Sequence, residues 1–266
     1  MPIVCDSKVK RLSQDEFHAI DRVVMRQAFD VQNELGRFYD EKVYQNELLF
    51  RLESLGLSTA SEVLIKVVHH DFVKHYFLDL FVEHGAVYEL KAVDFLVGKH
   101  QSQLLHYLIL LSLHHGKLVN FKPKSVEHRF VSTQISSPSR LDVCFDERNW
   151  IESVPEDQLV KQTLHELIGD WGAFLDVDLY EEAILHFLGG YEKRVHSLDV
   201  SVGGRIVGQQ KVCLLQDDIA LHVSAVKRNQ SSYQKHIARL FDHTRLTQIQ
   251  WVNFNQNKIE MKTLKK

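Results

Sequence analysis

The chain repeats itself. The run HELIGDWGAFLDVDLYEEAI from His165 resembles FDVQNELGRFYDEKVYQNEL from Phe29, so that Gly172 answers Gly36 and Tyr180 answers Tyr44, each 136 positions on. Later in each half, ALHVSAV (220–226) answers VYELKAV (87–93) and WVNF (251–254) answers LVNF (118–121), each 133 positions on. Several matches in one order at a nearly constant offset point to an internal duplication. With 266 residues, each half is then long enough to bury a core of its own, and two copies could pack as a pseudo-twofold pair.

Within the first half the periodicity sets the element order. Ser13 with Glu16 three residues on is a capping box, and Phe17, Ile20, Val24, Val31 and Leu35 follow at helical spacing up to Gly36. A second helix, roughly 40–55, carries Tyr44, Leu48, Leu52 and Leu55 on one side and stops at Gly56. Segments 62–68 and 74–82 are rich in β-branched, aromatic and aliphatic residues and read as strands; Glu83–Gly85 reads as a turn and 86–93 as the return strand of a hairpin. Helix resumes over 98–114 with Leu104, Leu105, Leu108 and Leu111 as its stripe, followed by strands at 117–121 and near 127–131. A polar, Pro-containing stretch without periodicity then reads as a linker, which gives a first domain at 1–132, a linker at 133–141 and a second domain at 142–266.

Several function classes are disfavoured. The longest apolar run, Tyr107–Leu113, falls far short of the roughly 18 residues a membrane span needs, so no membrane partner is expected. Charged residues at 6, 8, 10 and 11 occupy the place of a signal's apolar stretch, which argues against export and for the cytoplasm. Cys5, Cys144 and Cys213 form no CxxC pair, and the 16 histidines include no HExxH, so neither a thiolate nor a histidine metal centre is suggested. A net charge of −3 supplies no global attraction for nucleic acid, so any such binding must be local.

The residues that carry chemistry are on the hairpin. Side chains alternate along a strand, so Glu89 and Lys91 share one face while Tyr88, Leu90 and Ala92 take the other. A turn centred on His84 sets Asp79 opposite Glu89. Like charges about 5 Å apart repel by roughly 3 kcal/mol at an effective dielectric near 20. That repulsion becomes useful if a divalent cation lies between the carboxylates, because hard oxygen ligands suit Mg²⁺ or Mn²⁺. Lys91 on the same face could then stabilise a phosphoryl group or help to deprotonate a water. The plain alternative is a solvated strand face with an incidental Asp, Glu and Lys. Another ExK, Glu260-Met-Lys262, carries no such setting.

GRFYDEKVY (36–44), Leu78-Asp79-Leu80, Glu89-Leu-Lys-Ala-Val, His100-Gln-Ser-Gln103 with Tyr107, and Leu118-Val-Asn-Phe121 together resemble the bacterial GxxExxY family, which is assigned to the PD-(D/E)XK nuclease superfamily. The resemblance covers roughly residues 15–131 and, more weakly, the second half. It implies an α/β fold with a restriction-endonuclease-like mixed sheet flanked by helices, in two tandem copies. It further implies Asp79 and Glu89 as metal ligands, with Leu90 and, from the early helix, Glu41 at the same ion, Lys91 as the catalytic lysine, and Gln103 orienting water or phosphate. Tyr44 and Tyr107 are candidate substrate contacts. Two positions depart from the pattern: Phe38 stands where the family motif has its first glycine, and Leu78 precedes Asp79 where the superfamily name has proline.

In the second half His222 and Ser224 take the places of Glu89 and Lys91, Val177 that of Glu41, and Asp79 maps near Cys213, so no site of this type is expected there. Lys227, Arg228, Lys235, His236, Arg239 and Arg245 form a loose basic group that could contact phosphates. The expectation is a Mg²⁺-dependent nuclease, with Mn²⁺ as a substitute, acting on DNA or RNA through the first copy; a homo-oligomer is compatible with it. Two alternatives stand beside it: an inactive nucleic-acid-binding or protein-interaction module that kept the fold, and hydrolysis of another phosphate-containing molecule.

Overall fold

A computed structural model describes residues 2–266, which divide into two compact units, one ending at Ser137 and one running over Pro138–Lys266. The first unit runs β1 (Ile3–Cys5), α1 (Gln14–Leu35), α2 (Glu41–Ser54), β2 (Thr59–His69), β3 (Phe72–Val82), β4 (Ala86–Lys91), α3 (Gly98–Leu110), β5 (His115–Asn120) and β6 (Glu127–Ser132). Its six strands form one sheet in the order β1-β2-β3-β4-β5-β6. All neighbours are antiparallel except β4 and β5, and it is this parallel pair that needs the α3 crossover.

The local signals explain the helices. Ser13 Oγ accepts from the Glu16 N–H and Glu16 returns to the Ser13 N–H, so the capping box starts α1 as expected. On one face of the sheet, Phe17, Val24, Ala28 and Val31 of α1 and Tyr44, Leu48 and Leu52 of α2 bury against Leu80, Tyr88, Leu90, Val119 and Phe121. Alternation sends Val87, Glu89 and Leu118 to the other face, where α3 lies. Gly116 allows this approach, since a Cβ there would meet Leu104 Cδ1 at 3.0 Å and Leu108 Cδ2 at 3.3 Å.

Two element boundaries differ from the periodicity. The helix expected to reach residue 114 ends at Leu110, because Ser112 turns to φ +54° and the Leu113 N–H closes back on the Leu108 carbonyl. Leu113 still packs into the core from that turn, so the apolar stripe outlasts the helix. The strand expected to reach residue 93 ends at Lys91, because the N–H and C=O of Val93 are bound by the Asn120 side chain instead of a neighbouring strand. The stretch expected to be a bare linker contains a short helix, α4 (Ser137–Leu141).

The second unit continues with β7 (Cys144–Asn149), α5 (Pro155–Trp171), α6 (Val177–Phe187), α7 (Tyr191–Arg194), β8 (Val195–Val202), β9 (Arg205–Gln216), β10 (Ile219–Ser224), α8 (Gln230–Ala238), α9 (Leu240–His243), β11 (Gln248–Asn255) and β12 (Lys258–Lys265). Its sheet order is β7-β12-β11-β10-β9-β8. Strands β8 to β12 therefore repeat the order and directions of β2 to β6, including the one parallel pair, here β10 with β11. Only the sixth strand differs: β1 pairs with β2, whereas β7 adds to β12 at the opposite edge. Two mixed six-stranded sheets flanked by helices make an α/β fold consistent with two tandem nuclease-like copies. Among the described residues no helix is long and apolar enough to cross a membrane.

Candidate active site

The β3–β4 hairpin keeps the register that a turn centred on His84 requires: Val82 pairs with Ala86, Phe81 with Val87 and Leu80 with Tyr88. The next positions are Asp79 and Glu89. Pairing stops there, and Asp79 Oδ2 accepts the Leu90 N–H at 2.8 Å. A carboxylate is thereby fixed between the strands, while Gln45 of α2 donates to the Asp79 main-chain carbonyl from the other side.

Lys91 Nζ is the hub. It lies 2.6 Å from the Leu90 carbonyl, 2.8 Å from Glu89 Oε1, 3.4 Å from Asp79 Oδ2 and 3.6 Å from Glu41 Oε2. Glu41 reaches this point because it is the first residue of α2, held to the sheet by the packing of Leu48 and Leu52 further along the helix. The structure thus brings together Glu41, Asp79, Glu89, Lys91 and the main chain of Leu90, from three elements.

The electrostatics follow from crowding three acids and one ammonium under cover. Glu89 is fully buried, and its carboxyl is pushed from the ordinary 4.5 up to about 8, first by burial and then by the charge of Asp79, against the pull of Lys91. Glu41 is raised too, by burial before its acidic neighbours. For Lys91 burial acts to lower the pKa, but the charges of Glu89, Asp79 and Glu41 outweigh it and hold the ammonium above its ordinary range.

Hard oxygens fit a divalent cation by their chemistry. One further observation favours such a group: Glu89 Oε2 is buried and has no hydrogen-bond partner. A buried carboxylate oxygen left without a donor is costly, and a cation is the kind of ligand that satisfies it. The Lys91 ammonium stands among these oxygens in the manner of such a cation.

Gln103 and Tyr107 are on α3 beside this cluster. Gln103 Nε2 donates to Tyr107 Oη at 3.0 Å, and the Tyr107 hydroxyl is pushed up to about 12 by burial, with Glu89 and Asp79 adding to the effect. Gln103 therefore addresses Tyr107 in this structure rather than the carboxylates. Tyr44, expected among the substrate contacts, is corrected to a core residue. Its ring is fully buried and stacked on Phe121 at 4.6 Å, and its hydroxyl donates to the Gly36 carbonyl and accepts from the Tyr39 N–H. It braces the loop that delivers Glu41.

The second unit has contacts that match the scaffold of this site, without its acids. Tyr180 donates to the Gly172 carbonyl at 2.5 Å and stacks on Phe254 at 4.5 Å, as Tyr44 does with Gly36 and Phe121. Asn253 binds both main-chain groups of Val226 and then Glu260, as Asn120 binds Val93 and Glu127. Glu260, incidental as part of an ExK, is thus the counterpart of Glu127; an Asn with Glu seven residues on, 133 positions apart in the two halves, was a signal available in the sequence. At the position of Glu89, His222 binds Tyr233 Oη at 2.9 Å, and burial lowers its pKa. At that of Lys91, Ser224 donates to Asn253 and accepts from Trp251. Since Leu221 pairs with Cys213 as Tyr88 does with Leu80, the position of Asp79 falls on Val212, one residue before the expected Cys213. The basic residues 227, 228, 235, 236, 239 and 245 are exposed.

A further feature of the first unit was not visible in its periodicity: Lys117 of β5 and Asp21 of α1 form a buried ion pair, with Tyr88 Oη donating to Asp21 at 3.4 Å. The two partners are 96 residues apart, and nothing in the local pattern links them.

Residues 18–131 match the family model of the PD-(D/E)XK nuclease superfamily. No curated protein matches the chain. Among solved structures there is a match to a chain titled "Crystal structure of SSO0001", with 19% identity over 47% of this chain and 60% of that one. The match therefore spans less than two thirds of that protein's length, and its TM-score of 0.30 is too low to bear on the fold.

Proposed function

We propose, on the match of residues 18–131 to the family model of the PD-(D/E)XK nuclease superfamily, that this chain hydrolyses phosphodiester bonds in nucleic acid at the Asp79, Glu89 and Lys91 cluster with a divalent metal ion, Mg²⁺ or, in its place, Mn²⁺. The observation that carries the reading is the group of four oxygens around one half-buried cationic position, with Glu89 Oε2 still unpartnered. Asp79, Glu89, the Leu90 carbonyl and Glu41 would hold the ion, which when bound supplies positive charge at the scissile phosphate and lowers the pKa of water.

The protein's own groups have separable tasks. Asp79 is held by the Leu90 N–H, and Glu89 by its strand, so the two acids are pre-oriented at little entropic cost. Lys91, held protonated by its neighbours, presents a donor that can turn from the carboxylates to the non-bridging oxygens of a bound phosphate. Tyr107 stays protonated at neutral pH and can donate to the same group, and Gln103 fixes the direction of its hydroxyl. The second unit, which lacks every one of these groups, is read as a degenerate copy that binds without cleaving, its exposed basic residues serving as phosphate contacts.

Cleavage of DNA and of RNA by purified protein with Mg²⁺, Mn²⁺ or chelator tests the reading. Metal-dependent cleavage lost in Asp79→Ala and in Lys91→Ala is expected. Equal activity in either variant refutes the assignment of roles. A melting temperature that Mn²⁺ leaves unmoved at every concentration favours a module that only binds.

A further inference from the structure

The two most exposed large apolar side chains among the described residues are Phe38, at 84%, and Phe95, at 78%. Both border the candidate site. Phe38 lies in the loop from α1 to α2, three residues before Glu41, and Phe95 lies in the loop from β4 to α3, four residues after Lys91. Glu41 Oε2 and Lys91 Nζ are 3.6 Å apart, so the two loops leave the site from adjacent points. An extended chain spans at most about 3.5 Å per residue, which limits the Phe38 Cα to about 11 Å from that of Glu41 and the Phe95 Cα to about 14 Å from that of Lys91.

Neither ring is exposed for want of an anchor nearby. Tyr39, next to Phe38, donates its N–H to Tyr44 Oη and turns its ring edge-on to that of Tyr44, 6.4 Å away. Leu96, next to Phe95, is buried at 7%. Each loop is thus pinned by one residue and presents the adjacent phenyl ring to solvent. Phe38 is also backed by the Arg37 guanidinium, 5.1 Å from its ring centroid. Exposed Lys99 follows four residues after Phe95. Two flat apolar rings on loops that leave a phosphate-handling cluster, one of them beside a guanidinium, complement the bases and phosphates of a strand.

We infer that Phe38 and Phe95 are stacking platforms for unpaired bases next to the cleaved phosphate, so that the substrate is a nucleic acid strand whose bases are unpaired at the cut. A continuous duplex keeps its base faces stacked on one another and offers nothing to either ring except at its ends, whereas a single strand offers a face at every nucleotide. The inference rests on the phosphodiesterase reading for its location, and its test is separable from that reading.

The test is the binding of an oligonucleotide carrying 2-aminopurine, as a single strand and as a blunt duplex, to the full chain with Ca²⁺ replacing Mg²⁺ and at one fixed salt concentration. The wild-type protein binds the single strand more tightly and quenches its fluorescence by stacking. Phe38→Ala and Phe95→Ala each weaken single-strand binding by on the order of 10-fold, the double variant weakens it further, Phe38→Trp restores it, and duplex binding does not move. Both rings are on the surface, so unchanged melting temperatures verify folding. Duplex bound as tightly as single strand, single-strand affinity unmoved in the double variant, or no binding of either form overturns the inference. Ring-dependent binding without any cleavage in Mn²⁺ keeps the inference and removes the nuclease reading; cleavage of duplex at a rate indifferent to both rings does the reverse.

Discussion

Glu89 makes the metal-free protein less stable as pH rises, and the size of the effect follows from its burial. In the unfolded chain its carboxyl titrates near 4.5, and in the folded one near 8. Between those values the native state binds a proton that the unfolded state has lost, so stability is fully present below 4.5 and falls as pH rises toward 8. Each pH unit is worth about 1.4 kcal/mol. Across the whole interval the loss amounts to about 5 kcal/mol, an upper figure because the Lys91 ammonium can shift toward the new charge. The imidazoles of half-buried His100 and buried His115, whose pKa values burial lowers, act in the opposite sense as they lose their protons. Subtracting a Glu89→Gln variant removes that background.

The assay is urea unfolding with chelator between pH 5 and 8, read by hydrogen exchange in peptides that cover β3 to β5. Trp150, Trp171 and Trp251 all lie in the second unit, so tryptophan fluorescence would report the wrong half. The wild-type protein is to lose stability relative to Glu89→Gln by several kcal/mol over this range, and saturating Mn²⁺, by favouring the ionised carboxylate, is to flatten the difference. Identical pH dependence in wild type and variant would refute the argument.

Three other outcomes follow from the same geometry. Asp79→Ala removes a ligand and the acceptor of the Leu90 N–H, so the rise in melting temperature with Mn²⁺, about 2.7 kcal/mol of stabilisation at a hundredfold excess over Kd, is expected to vanish in a thermal-shift titration. Lys91→Ala clears a competing cation from the oxygens; calorimetry is expected to show Mn²⁺ affinity kept or raised while single-turnover cleavage falls by about two orders of magnitude or more, the size typical of losing an electrostatic donor. Asn120→Ala strands the main-chain groups of Val93 and costs about 2–4 kcal/mol in denaturant melts, and Asn253→Ala costs a similar amount in the second unit through Val226.

Local sequence determined a good deal of this protein. The capping box at Ser13 and Glu16 starts α1, strand alternation puts Glu89 and Lys91 on the face opposite Leu90, and the turn at His84 fixes a register that carries Asp79 to Glu89. The offset between the halves led to an expectation of two similar halves, and strands β2–β6 and β8–β12 share one order. These features are short-range or periodic, and a strand or helix expresses them whatever surrounds it.

Other features existed only once the chain was packed. Glu41 meets Lys91 because α2 lies on the sheet, Asp79 ends the ladder by taking the Leu90 N–H, and Gln103 turns to Tyr107. Tyr44 is spent in the core because its hydroxyl finds Gly36 and Tyr39. β1, at three residues, is too short to show a period, so the sheet edge it covers could not be read in advance. The raised pKa of Glu89 is likewise a tertiary property: a carboxyl is pushed up to about 8 only when the rest of the chain has removed its water and placed Asp79 beside it.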